Sequence, residues 1–210
     1  MGLGYGWGAR SYHTPGRWQP RFGPEWGGCP PAVALGAPAT MTWMNPPRWT
    51  PSVTVAAIIE RDGHFLLVEE HTPEGLKLNN PAGHLEPGES PEEGVVREAL
   101  EETGCVFTPQ ALLGVYLSRF VRPATGEDVT YLRLAYRGTV GEPLAGCSLD
   151  AGIVCTLWLT PEQVRAQAGR LRSPLVLRCI EDHLAGVAHP LAVVMADASI
   201  ALPEVKRHVP

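Results

Sequence analysis

Residues 83–104 read GHLEPGESPEEGVVREALEETG, and seven of the chain's 22 acidic residues fall within them, around the single arginine Arg97. The stretch carries its own helix start. Ser90-Pro91-Glu92-Glu93 places a serine N-cap, a proline at the first helical position and a glutamate three residues after the cap, which is a capping box. Gly104 follows Thr103 where a left-handed C-terminal cap is wanted, so the spacing predicts a helix over 91–103. Glu92 and Glu93 complement the helix dipole in the first turn. Glu98, Glu101 and Glu102 have no such account. At spacings i, i+3 and i+4 they share one helix face, each like-charged pair costs about 0.2–0.5 kcal/mol, and the negative end of the dipole lies close by. Val96, Ala99 and Leu100 are expected on the opposite side, as the face turned to the core. One reading of the triad is a solvated acidic face paired with Arg97 and outside lysines. The other is a site for a hard divalent cation, Mg²⁺ or Mn²⁺, which takes oxygen ligands without His or Cys.

Working outward, SVTVAAIIERDGHFLLVEE (52–70) holds two apolar runs around Asp62-Gly63, a hairpin signal. HTPEGLKLNNPA (71–82) reads as a loop with a short extended piece. LLGVYLSRF (112–120), TYLRLAYRGTV (130–140) and IVCTLWLT (153–160) are further strands, and TPEQVRAQA and SPLVLRCIEDHLAG open with Thr-Pro and Ser-Pro caps that predict helices over 161–169 and 174–185. Residues 1–48 are crowded with Gly, Pro, Trp and Arg without a helical or strand period, and are expected to form an unstructured extension, upstream sequence from an over-early start. An ordered domain is expected over 49–192. From Val187 on no period is visible and the chain is expected to be loosely attached, with 193–210 as the C-terminal tail.

A chain of 210 residues, 44% hydrophobic, can bury one good core. Its net charge of −5 supplies no overall basic field for nucleic acid or an anionic membrane, which leaves small anionic ligands met by local cations. No apolar run reaches the roughly 20 residues of a membrane span. Five scattered cysteines without a CxxC pair fit reduced thiols in the cytoplasm better than disulfides or zinc. A monomer or a homodimer is expected.

The complete spacing is Gly83, five residues, Glu89, seven residues, Arg97-Glu98, two residues, Glu101-Glu102, one residue, Gly104. It resembles the Nudix box, with REALEETG intact and Cys105 in place of the usual aliphatic residue. The resemblance implies an α/β Nudix fold: a mixed β-sheet sandwiched between helices (α/β/α), with a loop-helix-loop metal site. It implies a hydrolase that directs water at a phosphorus of a diphosphate. By matched position Glu98 and Glu102 would be the main metal ligands, with Glu101 assisting and the Gly83 carbonyl adding an oxygen. Arg97 would orient the carboxylates, Glu89 would brace Arg97, and Glu98 would accept the proton from water. VTVAAIIERDGHFLLVEE, NNPAGHLEPGES, LRSPLV (171–176) and Gly-x-x-x-Pro-Leu (186–191) are similar to the NudJ subgroup of phosphatases. That similarity implies action on nucleoside tri- and diphosphates and on hydroxymethylpyrimidine diphosphate, with release of orthophosphate. Two departures are Leu76-Lys77-Leu78, where a tryptophan is expected, and His189 in place of a tyrosine.

Further candidates are Asn80 and His84, which flank the metal loop, and Arg119 and Arg172, at a strand end and before a helix, as phosphate contacts. Asp150 is either an extra acid for metal or water, or a turn residue. Trp158 reads as core rather than as a stacking platform. A Nudix-fold nucleotide sensor without catalysis is the alternative from another class, against which stands the complete set of box glutamates. A third reading, RNA binding through the N-terminal arm, lacks a complementary basic stripe on the acidic core.

Overall fold

A computed structural model of the protein describes residues 48–122 and 125–201. The extension expected over 1–48 lies outside the described residues except for Arg48, as does the end of the tail beyond Ala201.

Seven strands form the sheet: β1 (Ser52–Arg61), β2 (His64–Thr72), β3 (Gly75–Asn79), β4 (Ala82–His84), β5 (Phe107–Val121), β6 (Asp128–Val140) and β7 (Ile153–Leu159). Helix α1 spans Pro91–Thr103, α2 Pro161–Ala166 and α3 Leu175–Leu184. β1 is the hub: it pairs parallel with β6 and antiparallel with β4. The Asp-Gly turn forms as its residues require, with Asp62 at φ 50° and Gly63 at φ 75°. The hairpin it closes is shorter than expected, because β1 and β2 pair only at Glu60 with Phe65 and Arg61 with His64. Both strands are buried on both faces, and β2 leaves β1 to pair with β3 and β7.

Alternation along β1 builds two cores. Val55, Ala57 and Ile59 pack with Val95 and Ala99 of α1, while Ala56 and Ile58 pack with Val164 of α2 and Val176, Cys179 and Ile180 of α3. Side chains two apart on a strand share a face, so the sheet lies between α1 on one side and α2 with α3 on the other. The mixed α/β/α sandwich expected from the sequence is what forms.

Three local expectations change. The second helix stops at Ala166, and Ala168–Arg170 forms a separate 3₁₀ turn. On α1 the buried face is not opposite the acids: Val95, Glu98, Ala99 and Glu102 are all buried, whereas Val96 and Leu100 are half-buried. The segment after Val187 is held to the sheet. Leu112 and His189 exchange backbone hydrogen bonds of 3.0 and 2.8 Å, Leu191–Val193 forms a 3₁₀ turn, and Leu191 and Val194 pack against the α1-side core. A chain ending at Ala188 should therefore lose roughly 1–3 kcal/mol in urea unfolding, the order expected for two partly buried aliphatic side chains. An unchanged midpoint would show that the segment adds nothing.

Candidate active site

The helix cap sets the register of the site. Ser90 is extended, its side chain accepts from the Glu93 N–H, and the Glu93 carboxylate accepts from the Ser90 N–H at 2.8 Å. The far end closes on Gly104 at φ 71°. Between these caps, Arg97 uses five hydrogen bonds to join loop and helix. Nε and Nη2 grip both oxygens of Glu89 at 2.9 and 2.7 Å, Nη1 reaches Glu98 at 2.8 Å and Glu101 at 3.0 Å, and Nη2 also donates to the His84 carbonyl at 3.0 Å. A guanidinium has five N–H donors, so this one is fully used. Hydrogen bonding to Glu89 raises the Arg97 pKa, and the same contact lowers that of Glu89.

Two glycines permit the close approach of the parts. A Cβ at Gly83 would overlap the Glu98 carboxylate, and one at Gly94 would fall 2.8 Å from Glu89 Oε1 and 3.0 Å from Leu85. Gly83 was expected; Gly94 is an addition, legible only once the loop is seen to fold over the first turn of α1.

Glu98 and Glu102 are each 8% exposed. Burial raises the Glu98 pKa against the opposing pull of Arg97, with Glu101 and Asp150 adding to the rise. Burial pushes the Glu102 carboxyl up to about 8; the Ala82 N–H, donating at 2.8 Å, opposes the rise, while the charges of Glu98, Glu70 and Asp150 assist it. Glu98 Oε2 and Glu102 Oε1 meet no protein hydrogen-bond donor among the described residues. Also among the described residues, no group of three His, Cys, Asp or Glu side chains is already gathered as a chelating cage. Desolvated, like-charged, oxygen-only donors beside a glycine backbone suit a hard divalent cation.

β4 is the wall between this cluster and a cleft of about 850 Å³. Ala82, Gly83 and His84 line the cleft, while the Ala82 N–H holds Glu102 and the His84 carbonyl holds Arg97. Lys77, Arg119, Arg122, Arg133 and Arg172 also line it, with Phe120 and Tyr131 as aromatic neighbours. The His84 ring lies 6.2 Å from that of Tyr131.

The sequence candidates divide accordingly. Arg172 lies in the cleft, 3.7 Å from Glu70 and 3.4 Å from Glu74, and its backbone N–H is bonded to Leu78. Arg119 is on the rim, gripped by both oxygens of Asp128, and so is already partnered. Asn80 is buried but does not line the cleft; its neighbour Asn79 does, because residues alternate sides along β3 and beyond it. Asp150 is exposed, and its backbone N–H bonds the Glu101 carbonyl. Trp158 packs partly into the core, with Arg61 over its ring at 5.0 Å. Glu70 and Arg133 are cleft residues that the strand patterns left unremarked, although a charge between two leucines in Leu132-Arg133-Leu134 was a visible sign.

The raised Glu102 pKa has a consequence for stability. A carboxyl whose folded pKa exceeds its unfolded value stabilises the fold most at low pH, and that contribution is lost as pH rises through the folded value. In chelator, thermal melts should show Glu102→Gln little changed near pH 5 and more stable than the parent near pH 9. Equal melting at both pH values would mean that Glu102 ionises without cost.

Comparison with known proteins adds to the geometry. The NUDIX domain model matches residues 48–178. Phosphatase NudJ of Escherichia coli is 33% identical over 144 residues, covering 69% of this chain and 90% of that protein. A solved NUDIX hydrolase from Nitrosomonas europaea is 45% identical, with a TM-score of 0.65 over 71% of this chain and 99% of that one. A MutT protein from Methanosarcina mazei, 24% identical with a TM-score of 0.50, covers 65% of this chain and 96% of its own, and shows the fold alone. With its box residues folded together around Arg97 and these likenesses spanning most of the described residues, the protein belongs to the Nudix hydrolase family.

Proposed function

We propose that the chain is a divalent-metal-dependent phosphatase of small-molecule phosphoanhydrides, releasing orthophosphate from nucleoside tri- and diphosphates and from hydroxymethylpyrimidine diphosphate. The observation that carries this reading is the placement of two buried carboxylates, Glu98 and Glu102, across β4 from a cation-lined cleft. The likeness to phosphatase NudJ supports a phosphatase, and the substrates are those implied by the resemblance of the sequence.

Glu98 and Glu102 would hold Mg²⁺ or Mn²⁺, with Glu101 and the Gly83 carbonyl assisting. When bound, the ion neutralises diphosphate oxygens and lowers the pKa of the attacking water. Everything else falls to the chain. Arg97 fixes Glu98 Oε1 and leaves Oε2 for the proton taken from water, and a carboxyl whose pKa is raised by burial is a better base near neutral pH than an exposed one. Glu89 keeps Arg97 in place. Arg172, before α3 in the cleft, would hold phosphate oxygens, and a fixed cation of this kind supplies the positioning and electrostatics on which phosphoryl transfer depends. The cytoplasm is the compartment that suits Cys105, Cys147, Cys155 and Cys179, all free thiols.

Purified protein with Mg²⁺ should release orthophosphate from these substrates and stop in excess EDTA, and Glu102→Gln should lower kcat by about 10²-fold or more, on the scale of losing an electrostatic contact made in the transition state. Measuring orthophosphate and pyrophosphate separately also tests the alternative of a pyrophosphohydrolase acting on another nucleoside diphosphate derivative. Full turnover in EDTA, or full activity of the variant, would overturn the metal assignment. Binding of nucleotides without any turnover would instead favour a sensor.

A further inference from the structure

Several buried polar atoms that lack a hydrogen-bond partner converge on the cleft. Among the described residues Thr54 Oγ1, Glu70 Oε1, Asn79 Oδ1 and Arg133 Nη1 have none, and all four residues line it; Arg122 Nε, on a fifth lining residue, also lacks a hydrogen bond but is ion-paired with Glu127 at 2.8 Å. Thr54, Asn79 and Arg133 are 7%, 6% and 8% exposed. The strands put them side by side: Thr54 of β1 lies opposite Arg133 of β6, while Glu70 of β2 is opposite Lys77 of β3, two residues from Asn79 and so on its face. The nearest cation to Glu70 Oε1 is Arg172 Nε at 3.7 Å, too far for a hydrogen bond.

Leaving buried polar atoms unpaired is costly, and a cleft that keeps four of them together is built for something that pairs them. Their chemistry narrows what that is. Glu70 and Asn79 offer acceptors, Arg133 offers a donor, and the Thr54 hydroxyl takes either role. A phosphate presents only acceptors; it would satisfy Arg133 and set its oxygens against those of Glu70 and Asn79. An exocyclic amino group has two hydrogens to give, and a ring nitrogen beside it has a lone pair for Arg133. An oxo group in the same place would turn an acceptor toward two acceptors.

We propose that Thr54, Glu70, Asn79 and Arg133 form a base-reading floor in the cleft, selecting substrates whose heterocycle carries an amino group beside a hydrogen-bond acceptor over those carrying an oxo group there. This rests on the reading of the cleft as the substrate site. It adds the residues that set specificity and the atom pattern they read. The cleft has the volume of a small-molecule site, and Gly83, which lines it, abuts the Glu98 carboxylate.

The test is equilibrium binding of CMP and UMP to the full-length protein by calorimetry, since these differ at the amino and oxo position and have no anhydride to cleave. CMP should bind at least about tenfold more tightly than UMP, as expected where buried polar groups of the site are left unpaired by the wrong ligand. In Glu70→Gln, whose amide can turn a donor toward the oxo group, the preference should shrink toward parity through tighter UMP binding and weaker CMP binding. Equal affinities in the parent protein, no detectable binding of either nucleotide, or an unchanged ratio in a folded Glu70→Gln protein would overturn the proposal. CDP turnover is measured alongside. A CMP preference with no phosphate released from CDP sinks the phosphatase reading and leaves this one standing, whereas CDP hydrolysis with equal CMP and UMP binding does the reverse.

Discussion

The site depends on one guanidinium. Arg97 is the only Lys or Arg in residues 83–104, and its five hydrogen bonds tie Glu89, in the loop, and the His84 carbonyl, at the end of β4, to Glu98 and Glu101 on the helix. Lysine could not replace it, because an ammonium has neither the planar fork that grips both oxygens of Glu89 nor the reach to serve the other partners at once. The side chain is 24% exposed, so the value of the network is chiefly geometric: in partial contact with solvent, ion pairs contribute little to net stability but still fix where oxygens point.

Around that brace the chain accepts a local cost. Glu98 and Glu102 occupy the face of α1 that also carries Val95 and Ala99, so two carboxylates sit at the edge of a hydrocarbon core. Burial and mutual repulsion resist their ionisation, and an Ala82 N–H and the Arg97 fork oppose this from within the protein. Such strain is tolerable because it is small beside the cores on the two faces of the sheet, and it is the condition under which a divalent ion gains most from binding. The short strand β4 makes the arrangement economical in space. Its backbone supports Glu102 and Arg97, and the same three residues form a wall of the cleft.

Much of this was legible in the sequence, because the features concerned are local. The Ser90 capping box, the Gly104 cap and the Asp62-Gly63 turn each depend on adjacent residues, and each formed where expected. The box residues are likewise joined through one helix and the loop before it. What was not legible requires distant segments to meet. The sharing of one α1 face by Glu98, Glu102, Val95 and Ala99 depends on where the sheet lies; helical spacing placed Val96, Ala99 and Leu100 on the core face, of which Ala99 is buried and Val96 packs partly against the core, and it missed Val95. Thr54, Glu70, Asn79 and Arg133 come from four strands, and although Arg133 between two leucines stands out, no local pattern shows that the four meet in one cleft. The anchoring of the segment after Val187 has no period to announce it, since it rests on a two-bond bridge at His189 and two aliphatic side chains.

The claim that Arg97 organises Glu98 and Glu101, beside Glu102, for a divalent ion is most directly tested by titrating Mn²⁺ into the protein and its Arg97→Lys variant, with free Mn²⁺ followed by electron paramagnetic resonance. The parent protein should bind Mn²⁺ and release it to excess Mg²⁺, and the variant, with its charge kept and its fork lost, should bind about 10–100-fold more weakly, as is usual when a residue orienting metal ligands is changed. Equal affinity in the two proteins, or no Mn²⁺ binding by the parent, would contradict the account.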